Sequence, residues 1–247
     1  GKGTGVLSIA ILATMAGFVE NFHWIRVDAA LAFFVMVSVW SSVEAYVTGR
    51  SGFFILSGVF GAGAFLAKGL IGPVLILVPV LALFISGKMT RGRIVNSSRD
   101  IKAIGLGIAA FFAIVLFWVS QLKIHTDPTT WHEWFHVNQL GRLTGKAAHK
   151  GHIHSHDPIY YLKTIILYTL PWMPFVFAWI IKTTRSLSSL RDKDKSSALF
   201  LLIWGVGSYV VLSIPATKRD IYLVPALPVY AMIVTAYVKG NLPKWSS

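Results

Sequence analysis

Apolar runs of membrane-crossing length, separated by short polar connections, recur along the whole of this chain, and they leave few architectures open to it. A backbone in hydrocarbon has no water to pair with, so each run has to be helical. The hydropathy pattern places about eight spans, at residues 6–19, 29–47, 53–67, 70–86, 103–122, 159–181, 197–214 and 221–238. The stretch 53–86 is too long for one crossing, and Lys68, Gly69, Gly72 and Pro73 give it a turn. The expected fold is all-α: a polytopic membrane protein in which residues 1–247 form a single transmembrane domain.

Hydrophobic residues make up 55% of the chain and charged residues only 13%, about half the charged share of a soluble domain. The formal net charge of +13 would suit a nucleic-acid binder if the cations were gathered on one polar face. They are instead dispersed in short connections between apolar runs, as at a membrane surface, so no nucleic-acid partner is expected. Cysteine is absent, which excludes disulfides and thiolate metal sites. The chain starts at Gly1 and enters its first apolar run almost at once. It reads as a piece of a longer polytopic protein, not as one led by a signal peptide.

Sidedness follows from the basic residues. Lys88, Arg91, Arg93, Arg99 and Lys102 form one basic connection, and Lys182, Arg185, Arg191, Lys193 and Lys195 form another. With Lys2, Arg50, Lys239 and Lys244 they fall on one side of the eight-span count, which is assigned to the cytoplasm. All eight histidines (His23, His125, His132, His136, His149, His152, His154 and His156) then lie on the opposite side. So does the connection 123–157, expected as an extracytoplasmic loop. Within it Trp131, Trp134 and Phe135 recur at helical spacing, with His132, Glu133, His136 and Gln139 on the other face. That pattern predicts a short interfacial helix, its aromatics in lipid.

Four clusters converge on the outer face. Arg26 and Asp28 stand at the entrance of the second span, as a surface ion pair or as groups in use. His152, His154 and His156 precede Asp157 and Pro158, a cap and first residue for a helix whose early turns carry Tyr160, Tyr161 and Lys163. Such a helix start attracts phosphate, and alternating histidines could instead hold a metal or simply be solvated. Lys218 and Arg219 precede the last span and Tyr222 begins it. A bound anion would offset the cost of cations at that position, whereas snorkelling would need no ligand. Pro225 and Pro228 predict a kink there. Lys68 closes the third span, and Asn138 and Arg142 lie one turn apart beyond the aromatic segment. Together these residues describe a pocket for an anionic lipid headgroup, with no nucleotide-binding loop in the chain.

The segments IRVDAALAFF, AKGLIGPVLILVP, VNQLGRLTG, HSHDPIYYL followed by LPWMP, and ATKRDIYLVPALPVYAM occur in that order. The ordered set resembles the GT-C glycosyltransferases of the aminoarabinose-transferase and protein O-mannosyltransferase superfamily. The resemblance implies a membrane enzyme that takes a sugar from a polyprenyl-phosphate donor and transfers it to a lipid, glycan or protein acceptor outside the cytoplasmic membrane. It implies that Asp28 is the second acidic position of the family and acts on the acceptor's proton. It further implies that Lys68, Asn138, Arg142, Arg219 and Tyr222 serve the donor; the clusters themselves add Arg26, Tyr161 and Lys218 as expected donor-phosphate or substrate contacts. No cofactor is certain. A divalent metal, if one is used, would involve His156, without the acidic partner that some family members supply. The family's principal catalytic Asp belongs to a first outer loop with no equivalent here, so this piece is expected to lack it. A lipid or small-molecule transporter with a charged outer vestibule is the competing expectation. Transporters, however, place ionisable groups at mid-membrane and show inverted repeats, and neither is seen. A non-catalytic membrane subunit is a third.

Overall fold

A computed structural model describes residues 2–24, 26–89, 97–141, 159–215 and 218–240. Its elements run α1 (Lys2–Ala13), α2 (Ala16–Phe22), α3 (Val27–Thr48), α4 (Gly52–Lys68), α5 (Ile71–Met89), α6 (Ser98–His125) and α7 (Pro128–His132), the last continuing as a π-helix over Glu133–Gly141. Then come α8 (Tyr160–Tyr168), α9 (Met173–Ser186), α10 (Asp192–Ser213), a 3-10 helix over Asp220–Ala226 and α11 (Leu227–Val238). Among the described residues there is no strand.

Among the described residues, five helical stretches are long and apolar enough to cross a membrane, and seven if each of two bent pairs counts as one span. The third expected span is the 17-residue α4, a shorter apolar helix. The chain is thus an integral membrane protein with five to seven membrane-capable segments, against the expected count of about eight. Two expected spans are corrected by sharp breaks: α1 meets α2 at 69°, and α8 meets the segment from Met173 at 111°. Pro171 and Pro174 account for the second break, since proline supplies no N–H to a continuing helix. No proline marks the first. The two breaks meet each other: Ala16 N–H donates to Leu170 O at 2.9 Å, and Trp172 Nε1–H donates to Thr14 Oγ1 at 2.9 Å. Backbone freed by one break is satisfied by the other, as hydrocarbon surroundings require.

The turn expected between residues 68 and 73 is present. Gly69, at φ +69° and ψ −145°, ends α4 in a conformation open essentially to glycine alone. Near Pro225, the place of the expected kink, the helix changes from 3-10 to α at Leu227, and Asp220–Val238 runs as one membrane-capable stretch. The main core joins α3, α5, α8, α10 and α11, with Tyr161, Phe200, Leu31 and Leu212 fully enclosed. Outside it, α6 packs along α4 and exposes Leu106, Ile108, Phe112, Leu116 and Phe117, the face expected of a lipid-contacting helix.

The contact of α4 with α6 rests on two glycines. A Cβ on Gly58 would lie 2.0 Å from Gly107 O, and one on Gly107 would lie 2.4 Å from Phe54 O. Main chain on both sides cannot yield, so this is a small-residue crossing of membrane helices. Gly107→Leu is expected to separate α6 from α4 and cost about 3 kcal/mol, the upper range for overpacking. Unfolding of the purified protein in detergent measures it; a wild-type midpoint would show that the crossing carries little stability.

Candidate headgroup cavity

Three chain segments meet at the end of the molecule where α4 turns into α5. Asp28 sits in the first turn of α3, where a helix N-terminus favours a carboxylate, and is only 8% exposed. Lys68, forty residues on, reaches back from the last turn of α4 and donates to Asp28 Oδ1. The same ammonium lies 4.9 Å from the ring centroid of Tyr222, a cation–π contact strengthened by partial desolvation. Of the two readings of Arg26 and Asp28, the surface ion pair between them is therefore not formed; Asp28 pairs with Lys68. Arg26 stays exposed, its guanidinium 5.9 Å from the Trp24 ring, because the start of α3 turns Asp28 inward and leaves residue 26 outside the helix.

Beside this pair is a cavity of about 500 Å³. Lys68, Asn138, Gln139, Tyr161 and Tyr222 form its polar part; Phe65, Val74, Trp118, Trp134 and Val211 are among its apolar walls. The segment after α6 closes one side. Asp127 caps α7, accepting from the N–H groups of Thr129 and Thr130 at 2.9 Å each, and hydrogen bonds from the hydroxyls of Thr129 and Thr130 help hold its carboxyl well below the usual range. The segment is helical, as α7 and the π-helix after it, but its aromatics are half-buried, not turned outward as expected. Its Trp134 packs on Trp118 at 5.3 Å between centroids, while His132, Glu133 and His136 are exposed. Gln139, expected on the water face with those three, is corrected: its Oε1 accepts from Leu70 N–H at 3.1 Å, directly over Gly69. The π-helical turn rotates it inward. Asn138 donates to Glu133 O at 3.0 Å and also borders the cavity.

Tyr161 lines the cavity, but its hydroxyl is engaged: it donates to Arg219 O at 3.0 Å and accepts from Arg219 N–H at 3.1 Å. The residue ties α8 to the approach to the 3-10 helix. Asp220 is anchored similarly, accepting from Tyr168 O–H at 2.9 Å. Lys218 is 5% exposed and donates to Pro215 O at 3.2 Å; it is outside the cavity lining, as is the exposed Arg219. Arg142 and His156 lie outside the described residues, as do His152, His154, Asp157 and Pro158. No group of three or more metal-binding side chains occurs among the described residues. Sequence reasoning missed Trp118 and Pro215, which carry no local signal; the inward-facing Gln139 was legible only as one polar residue among several.

Fold and cavity together define a helical membrane protein with a polar-headed, apolar-walled recess at a helix-end boundary. Residues 1–118 match the family model described as dolichyl-phosphate-mannose-protein mannosyltransferase. The undecaprenyl phosphate-alpha-4-amino-4-deoxy-L-arabinose arabinosyl transferase of Yersinia enterocolitica is 26% identical over 214 residues, 82% of this chain and 35% of that protein. Its counterpart in Shewanella sediminis is 27% identical over 191 residues, 75% of this chain and 31% of that protein. In fold, the chain is similar to the crystal structure of ArnT from Cupriavidus metallidurans bound to undecaprenyl phosphate: TM-score 0.65, 22% identity, 96% of this chain and 40% of that one. The chain is thus similar to the protein mannosyltransferase family model over its first 118 residues and to aminoarabinose transferases over most of its length. It spans about a third of the length of the curated relatives it matches.

Proposed function

We propose that this chain forms the donor-lipid end of an enzyme that transfers a sugar from a polyprenyl phosphate to an acceptor on the extracytoplasmic face of a bacterial inner membrane. The observation that carries the reading is the half-buried Lys68 ammonium between Asp28 and Tyr222, at the polar head of an apolar-walled cavity. A polyprenyl phosphate has the same division, an anion on an isoprenoid chain. Relatives named for undecaprenyl-phosphate aminoarabinose supply the chemistry of the sugar donor.

In this reading an acceptor hydroxyl oxygen bonds to sugar C1 as the bond from C1 to the phosphate oxygen breaks, and the electron pair of the broken bond leaves with the phosphate. Lys68 stabilises that developing charge, the largest kind of catalytic term in a water-poor site. Asn138 and Tyr222 border the same space, and Arg219 stands at its approach. Asp28 holds Lys68 through Oδ1, and its Oδ2 is the position from which an acceptor hydroxyl proton is oriented or taken. Tyr161 fixes the segment carrying Arg219 and Tyr222.

The test is transfer of labelled sugar from a polyprenyl-phosphate donor to lipid, glycan or protein acceptors by the full-length protein in proteoliposomes. Sugar on an acceptor with release of polyprenyl phosphate supports the enzyme. Movement of intact donor between leaflets without transfer would establish the transporter instead.

Sidedness has its own test, helped by the absence of native cysteine. Glu133→Cys is expected to react with an impermeant maleimide added outside, and Arg191→Cys only after permeabilisation. The reverse pattern would place the cavity on the cytoplasmic side.

A further inference from the structure

A second recess lies at the opposite end of the helices. It is about 180 Å³ in volume, between the end of α9, the start of α10 and the end of α11. Trp179, Thr183 and Tyr237 form its inner wall, and Lys182, Ser186, Arg191 and Asp194 its polar rim. Along α10, Asp194 borders this recess and Leu212 the headgroup cavity. At about 1.5 Å rise per residue the two are about 27 Å apart, close to the hydrocarbon thickness of a bilayer. The two recesses thus sit at opposite membrane boundaries.

Thr183 points to a ligand here. It is 6% exposed, and among the described residues its hydroxyl has no hydrogen-bond partner. Its neighbours in α9 satisfy themselves in the ordinary way, Thr184 Oγ1 donating to Ile180 O at 2.8 Å and Ser186 Oγ to Lys182 O at 2.9 Å. A helical threonine that forgoes that bond while lining a recess has a donor to offer something else. Next to it, Lys182 is exposed and forms no ion pair among the described residues. The carboxylate of Asp194 also faces the recess, but Arg191 neutralises it through Nε at 3.2 Å and Nη2 at 3.1 Å, both to Oδ2. Among the described lining residues this leaves one cation, Lys182, without an ion-pair partner. Next in sequence to the lining residues Lys182 and Tyr237 stand Ile181 and Val238, apolar side chains that are 49% and 52% exposed. Cation, free hydroxyl and flanking apolar surface at a membrane boundary match one ligand, a phospholipid with a net negative headgroup.

We propose that the α9–α10–α11 recess binds the phosphodiester of an anionic phospholipid from the adjacent leaflet, with Lys182 and Thr183 as its donors and Ile181 and Val238 against its acyl chains. The site is separate from the headgroup cavity and does not depend on the sugar-transfer reading. The test uses the whole protein in neutral detergent, with phosphatidylglycerol, phosphatidylcholine or inorganic phosphate added. Lipid retention is read by native mass spectrometry and thermal unfolding by tryptophan fluorescence. Phosphatidylglycerol is expected to remain bound one to one and to raise the unfolding midpoint, and phosphatidylcholine to do neither. Lys182→Gln and the near-isosteric Thr183→Val should each weaken retention about tenfold or more, the loss of one charge-assisted or buried contact. Lys88→Gln, another exposed cation assigned to the same side, should leave it unchanged. Equal retention of phosphatidylcholine, wild-type retention by both variants, or an equal loss in Lys88→Gln would overturn the site. Stabilisation by inorganic phosphate matching that of phosphatidylglycerol would make the ligand a soluble anion and overturn the lipid assignment.

Discussion

Replacing Lys68 by methionine is expected to lower sugar transfer by about a hundredfold and to destabilise the protein by about 3 kcal/mol. The first effect is loss of a charge-assisted contact to the leaving phosphate, worth roughly 1.5–3 kcal/mol, or ten- to a hundredfold in rate. The second is separate. Side-chain exposures of 18% for Lys68 and 11% for Asp28 mean that removing the cation leaves a carboxylate largely out of water and unpaired. Breaking one side of such a pair costs roughly 3–5 kcal/mol, the lower end applying where some solvent reaches it. The double variant Asp28→Asn with Lys68→Met separates the two effects, because it removes the stranded charge as well. Stability should largely return while transfer stays low. If the double variant transfers sugar at the wild-type rate, the pair only holds α3 against α4, and the anion site lies elsewhere. Lys68→Arg should keep the charge but misplace it, since a planar fork does not reproduce a compact ammonium between a carboxylate and a ring.

The Asp28–Lys68 pair also shows where the sequence stops being readable. Both residues stood out one at a time: an acid at a span entrance and a lysine at a span end. Their partnership could not be read, because Arg26 is near in sequence while Lys68 is near only after α3 and α4 pack antiparallel. Packing was likewise needed to show that the Tyr161 hydroxyl is spent on Arg219, or that Gln139 turns inward. Span positions were far more legible, since hydrocarbon leaves a long apolar run little choice but a helix. Gly69 announced its turn and Pro171 explains its break. The break between α1 and α2 had no such marker. It exists where Thr14 and Ala16 meet the equally broken segment at Leu170 and Trp172, a tertiary fact. The π-helical turn at Glu133–Gly141 was hidden for the same reason: apolar spacing over two turns does not distinguish it from an α-helix.

Arg219→Ala is expected to reduce transfer ten- to a hundredfold with little loss of stability, and Lys218→Ala to do the opposite. The two cations are adjacent in sequence yet placed differently. Lys218 is buried and donates to Pro215 O, so its removal leaves a gap and a carbonyl deprived of a donor, at a cost of roughly 1–3 kcal/mol. Arg219 is held through its main chain alone, by the Tyr161 hydroxyl, and its side chain is exposed. Among the described residues no hydrogen bond or ion pair takes that guanidinium, and its neighbour along the 3-10 turn, Tyr222, borders the cavity. An arginine so placed can fork onto a phosphate as it docks. Its loss should raise KM for the polyprenyl donor if it guides binding, and lower kcat as well if it bears on the leaving phosphate. Tyr161→Phe gives the control: it frees the Arg219 main chain without touching the charge, so a matching loss of activity would show that position matters as much as charge. If Arg219→Ala, well folded in the same detergent, transfers sugar at the wild-type rate with wild-type KM, the guanidinium is only reaching water, and the headgroup is held by Lys68 without it.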